Sequence, residues 1–165
     1  MTKIDLIHTD INEKNIIRNL YQFYSYDSSD WESFDLESNG LFYMDDNYFA
    51  HYWELEGWSA NLIKVNDEIA GFLLIEHNTL PGLDAPEFAD LFLMKKYRRQ
   101  GIGQQIVEGV MLGTAHPWVV NVFVDDTQAM DFWNAMFNRL PFHSVRTFID
   151  PDRTDLRIFV INEEE

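Results

Sequence analysis

Four cations in five residues, Lys95, Lys96, Arg98 and Arg99, run directly into Gly101-Ile102-Gly103. Glycine-rich backbone that follows an apolar run and opens into a helix aims several N–H groups, and the positive end of the helix dipole, at one point. That point is an anion site. It is not a Walker P-loop, which needs Lys and then Ser or Thr after the second glycine, because Gly103 is followed by Gln104 and Gln105. Nor is it a dinucleotide fingerprint, which places a third small residue where Ile106 stands. What remains is Arg98-x-x-Gly101-x-Gly103. Taken alone, the same residues also suit a plain turn with a solvated cationic face, so the elements around them decide.

Residues 87–94 form an apolar run suited to a central strand leading into the turn, and 103–113 space Ile106, Val107, Val110 and Met111 along one helical face. Upstream, 3–9 alternate weakly as a first strand. Asp10 or Asn12 can cap a helix whose face carries Ile16, Ile17, Leu20, Tyr21, Phe23 and Tyr24. That helix is expected to end near Tyr26, where Asp27-Ser-Ser-Asp30 breaks it, followed by an acidic loop over 32–40. Asp45 or Asp46 can cap a short helix bearing Tyr48, Phe49, Tyr52 and Trp53, an aromatic cluster that is either core or the wall of a pocket for an ammonium ligand. Two strands, 59–65 and 68–75, meet at the hairpin turn Asn66-Asp67, and Gly71 predicts a bulge or a close approach. Residues 78–86 hold two prolines and a glycine and read as a loop. Beyond the turn come a β-branched strand over 118–124, a helix capped by Asp125 or Asp126, and two strands, 143–149 and 156–161. The predicted order is β-α-α-β-β-β-α-β-α-β-β.

At 165 residues, with 46% hydrophobic and 15% aromatic content, the chain reads as one ordered domain, 1–165. It has no cysteine, which excludes disulfides, thiolate metal sites and an acyl-cysteine intermediate. The five histidines show no ligand spacing, so no metal is expected. A net charge of −16 disfavours nucleic acid and anionic membranes and favours cationic partners. With no leader-like N-terminus and no apolar run long enough to span a bilayer, a cytoplasmic location is expected.

Tyr97-Arg98-Arg99-Gln100-Gly101-Ile102-Gly103 resembles the acetyl-CoA pyrophosphate loop of the GCN5-related N-acetyltransferase (GNAT) superfamily, whose usual form is Arg/Gln-x-x-Gly-x-Gly/Ala. The element order is that superfamily's order, with the strand–turn–helix unit on its fourth strand and third helix. Asp126-x-x-Ala129-x-x-Phe132-Trp133 is similar to the family's Asn-x-x-Ala-x-x-Phe/Leu-Tyr segment, with Asp126 at the usual Asn and Trp133 at the usual Tyr. A narrower group of uncharacterised predicted acetyltransferases is similar along nearly the whole chain, including Leu20-Tyr-Gln-Phe-Tyr24, Tyr52-Trp53, Ile69-Ala-Gly-Phe72 and Ala89-Asp90-Leu-Phe-Leu-Met94.

The resemblance implies an α/β (α+β) fold with a mixed central sheet of about seven strands and helices on both faces. It also implies a single acyl-CoA N-acyltransferase domain that moves an acetyl group directly from acetyl-CoA to a primary amine. Phosphates would lie on the N–H groups of Gln100, Gly101, Ile102, Gly103 and Gln104 beside Arg98 and Arg99. Pantetheine would add to backbone near Leu93 and Met94, where an N–H takes the thioester carbonyl. Asp126 and Trp133 would complete the cofactor side. Asp90, with Glu87 as the alternative, would be the general base, acting through water. A non-catalytic acyl-CoA-binding module is the competing expectation, since Trp133 replaces the usual Tyr; a third is an interaction protein docking a basic partner on 41–58. A monomer and a homodimer fit the sequence equally.

Overall fold

A computed structural model describes residues 1–164 of the chain. Its elements are β1 (Ile4–His8), α1 (Lys14–Glu32), α2 (Asp46–Glu54), β2 (Ser59–Val65), β3 (Glu68–His77), β4 (Pro86–Leu93), α3 (Ile102–Val107), β5 (Trp118–Phe123), α4 (Thr127–Arg139), β6 (Val145–Phe148) and β7 (Leu156–Ile161). The order is the predicted one. All seven strands join one mixed sheet, β1-β2-β3-β4-β5-β7-β6, which makes the α+β fold that was expected. The β4–β5 pair is parallel and needs a crossover, which the segment containing α3 supplies. The chain divides into two compact units, Met1–Ile75 with Asp90–Lys96 and Glu76–Ala89 with Tyr97–Glu165, and β4 contributes residues to each.

In the first unit, Ile17 and Leu20 of α1, Phe49 and Tyr52 of α2, and Phe72 and Leu74 of β3 share one buried cluster. Asp10 forms a capping box with Glu13 over a 3-10 turn, Ile11–Glu13, that leads into α1. The predicted end of α1 near Tyr26 is incorrect: the helix runs on to Glu32 and stops at Ser33, which turns left-handed at φ 57°. The serines expected to break it bond back to the helix instead. Ser28 Oγ donates to the carbonyls of Tyr24 and Ser25, and Ser29 Oγ to that of Tyr26, so their hydroxyls are satisfied without leaving helical geometry. Residues 33–45 then return along α1, held where Gln22 Nε2 donates to Phe42 O at 3.0 Å and Phe42 N donates to Gln22 Oε1 at 2.9 Å. Asp45 caps α2 through the N–H groups of Asn47 and Tyr48.

The hairpin turn has Asn66 and Asp67 at φ 50° and 68°, the left-handed pair a two-residue hairpin requires. Both expectations for Gly71 hold. Ile63 faces Gly71 while Lys64 faces Ile69, so Ala70 is the extra residue of a bulge. A Cβ on Gly71 would lie 1.8 Å from the Phe92 carbonyl oxygen of β4, so only glycine admits this approach.

In the second unit, Trp118, Val119 and Val120 of β5 are buried, as are Ile158, Phe159 and Val160 of β7. Asp126, not Asp125, caps α4 by accepting from Ala129 N at 3.0 Å. The helix predicted over 103–113 begins at Ile102 and changes to a π-helix over Glu108–Leu112. Among the described residues no helix is long and apolar enough to cross a membrane, and no group of His, Asp or Glu is placed to hold a metal ion.

Candidate active site

The turn that follows β4 is built by three local devices. Lys95–Tyr97 makes one 3-10 turn, in which Tyr97 is buried and pins the loop while Lys95 and Lys96 stay exposed. Arg99 adopts φ 58° and Gly101 φ 77°, left-handed residues that fold the backbone back on itself before α3 starts. Gly101 is the N-cap of α3 and supplies no side-chain acceptor, so the first-turn N–H groups of Ile102, Gly103 and Gln104 have no partner within the helix.

The side chains of this loop divide the work. Ile102 is 2% exposed and anchors the turn in the core, so its contribution to an anion would be its N–H alone. Gln104 Nε2 donates to Glu108 Oε1 at 2.9 Å, one helical turn on, which likewise leaves the backbone as the part of Gln104 that faces a ligand. Arg98 is half-buried and Arg99 exposed.

Strand β4 carries the remaining expected residues. Glu87 and Asp90 are three apart, and strand alternation sends them to opposite faces. Glu87 Oε1 accepts from Asn121 Nδ2 of β5 at 3.0 Å, beside the β4–β5 register pair of Glu87 with Val119. Asp90 Oδ1 accepts from the Tyr24 hydroxyl of α1 at 2.7 Å. The two carboxylates therefore serve different surroundings rather than one shared site. At the end of the strand, Met94 N donates to Ala70 O at 2.8 Å, so this amide is spent on β3. Alternation then turns the Leu93 amide away from β3.

Trp133 is 6% exposed and sits in an aromatic cluster, edge-on to Phe88 at 5.2 Å and stacked on Phe137 at 5.8 Å. Asp126 holds the start of the same helix. Among the aromatic residues of 41–58, Phe49 and Tyr52 are core, and Tyr52, Trp53 and Trp58 line a cleft of about 300 Å³ with His8 and Asp10.

Two contacts were not anticipated. Tyr24 lies on the apolar face of α1, and its phenol needs a partner for its hydroxyl. Asn121 interrupts a β-branched strand; its Nδ2 meets Glu87 and its Oδ1 has no partner among the described residues.

A family model described as "Acetyltransferase (GNAT) family" matches residues 17–137. Among curated proteins none matches the chain by sequence. Among solved structures, an acetyltransferase from Thermus thermophilus is 15% identical with a TM-score of 0.68, and the match covers 96% of each chain. The diaminobutyrate acetyltransferase EctA from Paenibacillus lautus, in complex with L-2,4-diaminobutyric acid and coenzyme A, is 14% identical with a TM-score of 0.63, covering 100% of this chain and 99% of that one. A GNAT-family acetyltransferase from Staphylococcus aureus is 15% identical with a TM-score of 0.61, covering 98% and 100%. The family model spans well over half the chain, and the chain therefore belongs to the acetyltransferase (GNAT) family and is an acetyl-CoA-dependent acyltransferase.

Proposed function

We propose that the protein transfers the acetyl group of acetyl-CoA to a primary amine of a cationic small molecule, by direct attack in a ternary complex in the cytoplasm. The observation that carries this reading is the loop from Arg98 to Gln104. Its left-handed Gly101, its first-turn amides and its two guanidiniums are the parts an anionic diphosphate needs, arranged with two side chains turned elsewhere. A net charge of −16 for the whole chain, this cationic stretch included, supports a positively charged acceptor.

In the reaction the amine nitrogen attacks the thioester carbon, and the oxygen of the tetrahedral intermediate takes a backbone N–H. The residues expected to offer it are Leu93 and Met94, of which Met94 also donates to Ala70. Asp90 accepts the amine proton through water. The C–S bond then breaks, and the departing thiolate, the anion of a thiol with a pKa of roughly 8.5, takes its proton from water. Trp133 packs as a wall and supplies no proton, since an indole N–H is a donor that does not ionise in this range.

Release of free thiol from acetyl-CoA, followed by mass spectrometry of the products with a panel of polyamines, diamino acids and aminoglycosides, tests the proposal. Acetylated amine with stoichiometric coenzyme A is the expected result. The presence of Trp133 at the family's Tyr position favours one alternative, a non-catalytic acyl-CoA-binding module. Tight acetyl-CoA binding with no turnover on any amine would establish that alternative instead.

A further inference from the structure

We infer that Tyr24 of α1 is a positioning residue for Asp90, fixing the carboxylate that receives the amine proton. The inference rests on the reading of Asp90 as general base. Its ground is the 2.7 Å bond from the Tyr24 hydroxyl to Asp90 Oδ1, a contact 66 residues apart in sequence. A carboxylate at a strand position can rotate about two side-chain bonds, and one strong donor to one oxygen restrains that rotation.

The donor is itself held in place. The Tyr24 ring lies 5.8 Å from Phe72 and 6.2 Å from Phe92, both edge-on, and 5.2 Å from Tyr21. Phe72 and Phe92 are 0% and 5% exposed, so the rings against Tyr24 are fixed by the core. Tyr21 in turn stacks on Phe72 at 5.8 Å with an interplanar angle of 20°. Helix α1, β3 and β4 thus converge on one phenol, and its hydroxyl meets a carboxylate on β4. Of the rings described against Tyr24, Tyr21 carries a titratable phenol, whereas Phe72 and Phe92 do not titrate. A residue needed for packing alone could be phenylalanine, as Phe72 and Phe92 are. The hydroxyl at position 24 donates to Asp90 Oδ1, a contact that phenylalanine could not make.

The sign of its effect follows from which state of Asp90 it favours. A donor bonded to an ionised carboxylate stabilises the ionised form and lowers the pKa; loss of the donor raises it. Tyr24→Phe keeps the ring and removes the oxygen. The expected result is a fall in kcat of about tenfold or more, an unchanged KM for acetyl-CoA, and an acid limb of the pH–rate profile displaced upward by about one pH unit. The same upward displacement should appear in the carboxyl titration of Asp90 followed by 13C NMR without any amine present, so this readout does not depend on knowing the acceptor. Thermal midpoints of the two proteins should be close, since the packing is retained. In an Asp90→Asn background, Tyr24→Phe should cause no further loss of rate.

The outcomes separate the two layers of the inference. If Asp90→Asn keeps the wild-type rate, Asp90 is not the base and the proposal falls with that reading. If Asp90→Asn is inactive while Tyr24→Phe keeps both the rate and the Asp90 titration of the wild type, the base stands and the positioning role is overturned. A Tyr24→Phe loss confined to the acetyl-CoA KM, with the Asp90 titration unmoved, would also overturn it.

Discussion

At the scale of single residues, Trp133 shows how one substitution in a family pattern can be read physically. Its indole is packed against Phe88, Phe132 and Phe137, so it belongs to the core of its unit as much as to any ligand. Trp133→Phe keeps an aromatic ring there and is expected to retain most of the turnover at saturating acetyl-CoA. Trp133→Ala should cost about 3–5 kcal/mol of stability by leaving a cavity and should weaken acetyl-CoA binding while leaving the saturated rate largely intact. Thermal denaturation together with steady-state kinetics checks both halves; a collapse of kcat in the Phe variant, without loss of stability, would assign the indole a chemical role. Asp126, the other departure from the family pattern, is less consequential, because Asp and Asn are equivalent N-caps and the carboxylate caps Ala129 as an Asn would. Residue type narrows the cap to Asp125 or Asp126, and helical spacing puts Trp133 on the buried face of α4. The Tyr24–Asp90 bond was not legible, because helical periodicity reports which face is buried and says nothing of where a hydroxyl at the edge of that face finds its acceptor.

Among the elements, β3 and β4 depend on a missing side chain. The carbonyl of Phe92 fills the space where a Cβ of Gly71 would stand, and the neighbouring Leu93 and Met94 are the residues proposed for the thioester end of acetyl-CoA. Overpacking a core with flexible neighbours costs about 1–3 kcal/mol; here the opposing atom is backbone, so Gly71→Ala should exceed that range. Chemical denaturation should show the loss, and any folded fraction should bind acetyl-CoA more weakly because β4 must move. An alanine variant of wild-type stability and affinity would mean that the strands separate without consequence. The sequence made this glycine conspicuous, since an interior strand position without a side chain has few explanations. The end of α1 is hidden in the sequence for the opposite reason: Asp27-Ser-Ser-Asp30 carries the residues that usually stop a helix, and the bonds of Ser28 and Ser29 to preceding carbonyls are what keep them helical here.

Over the whole molecule, charge separates two populations of residues. Of 12 Lys and Arg against 28 Asp and Glu, four cations fall within the five residues from Lys95 to Arg99. Element order and sheet composition were readable because apolar periodicity is a local property repeated along the chain. The strand order with β7 between β5 and β6, by contrast, is set by long-range pairing that no local pattern encodes. What the charge pattern does predict is how ligand binding responds to ions. The net negative charge repels a polyanion such as acetyl-CoA at long range while this cationic stretch attracts it locally, so salt acts on two opposing contributions. Added salt weakens the general repulsion first, since it acts over distance, and then the direct contacts, as the screening length falls from about 10 Å at 0.1 M to about 3 Å at 1 M. If Arg98 and Arg99 make charge-assisted bonds to phosphate, each worth about 1.5–3 kcal/mol, the direct contacts dominate and the Kd for acetyl-CoA should rise with salt. Acetylpantetheine lacks the diphosphate and should bind with little salt dependence. Arg98→Gln should raise the Kd for acetyl-CoA roughly tenfold or more, flatten its salt dependence, and leave acetylpantetheine unaffected, with half-buried Arg98 expected to matter more than exposed Arg99. Titration calorimetry at several ionic strengths measures all of these together. Equal salt slopes for the two ligands, or an Arg98→Gln variant that binds both as the wild type does, would remove the cationic stretch from the phosphate site and leave the backbone amides to hold the anion alone.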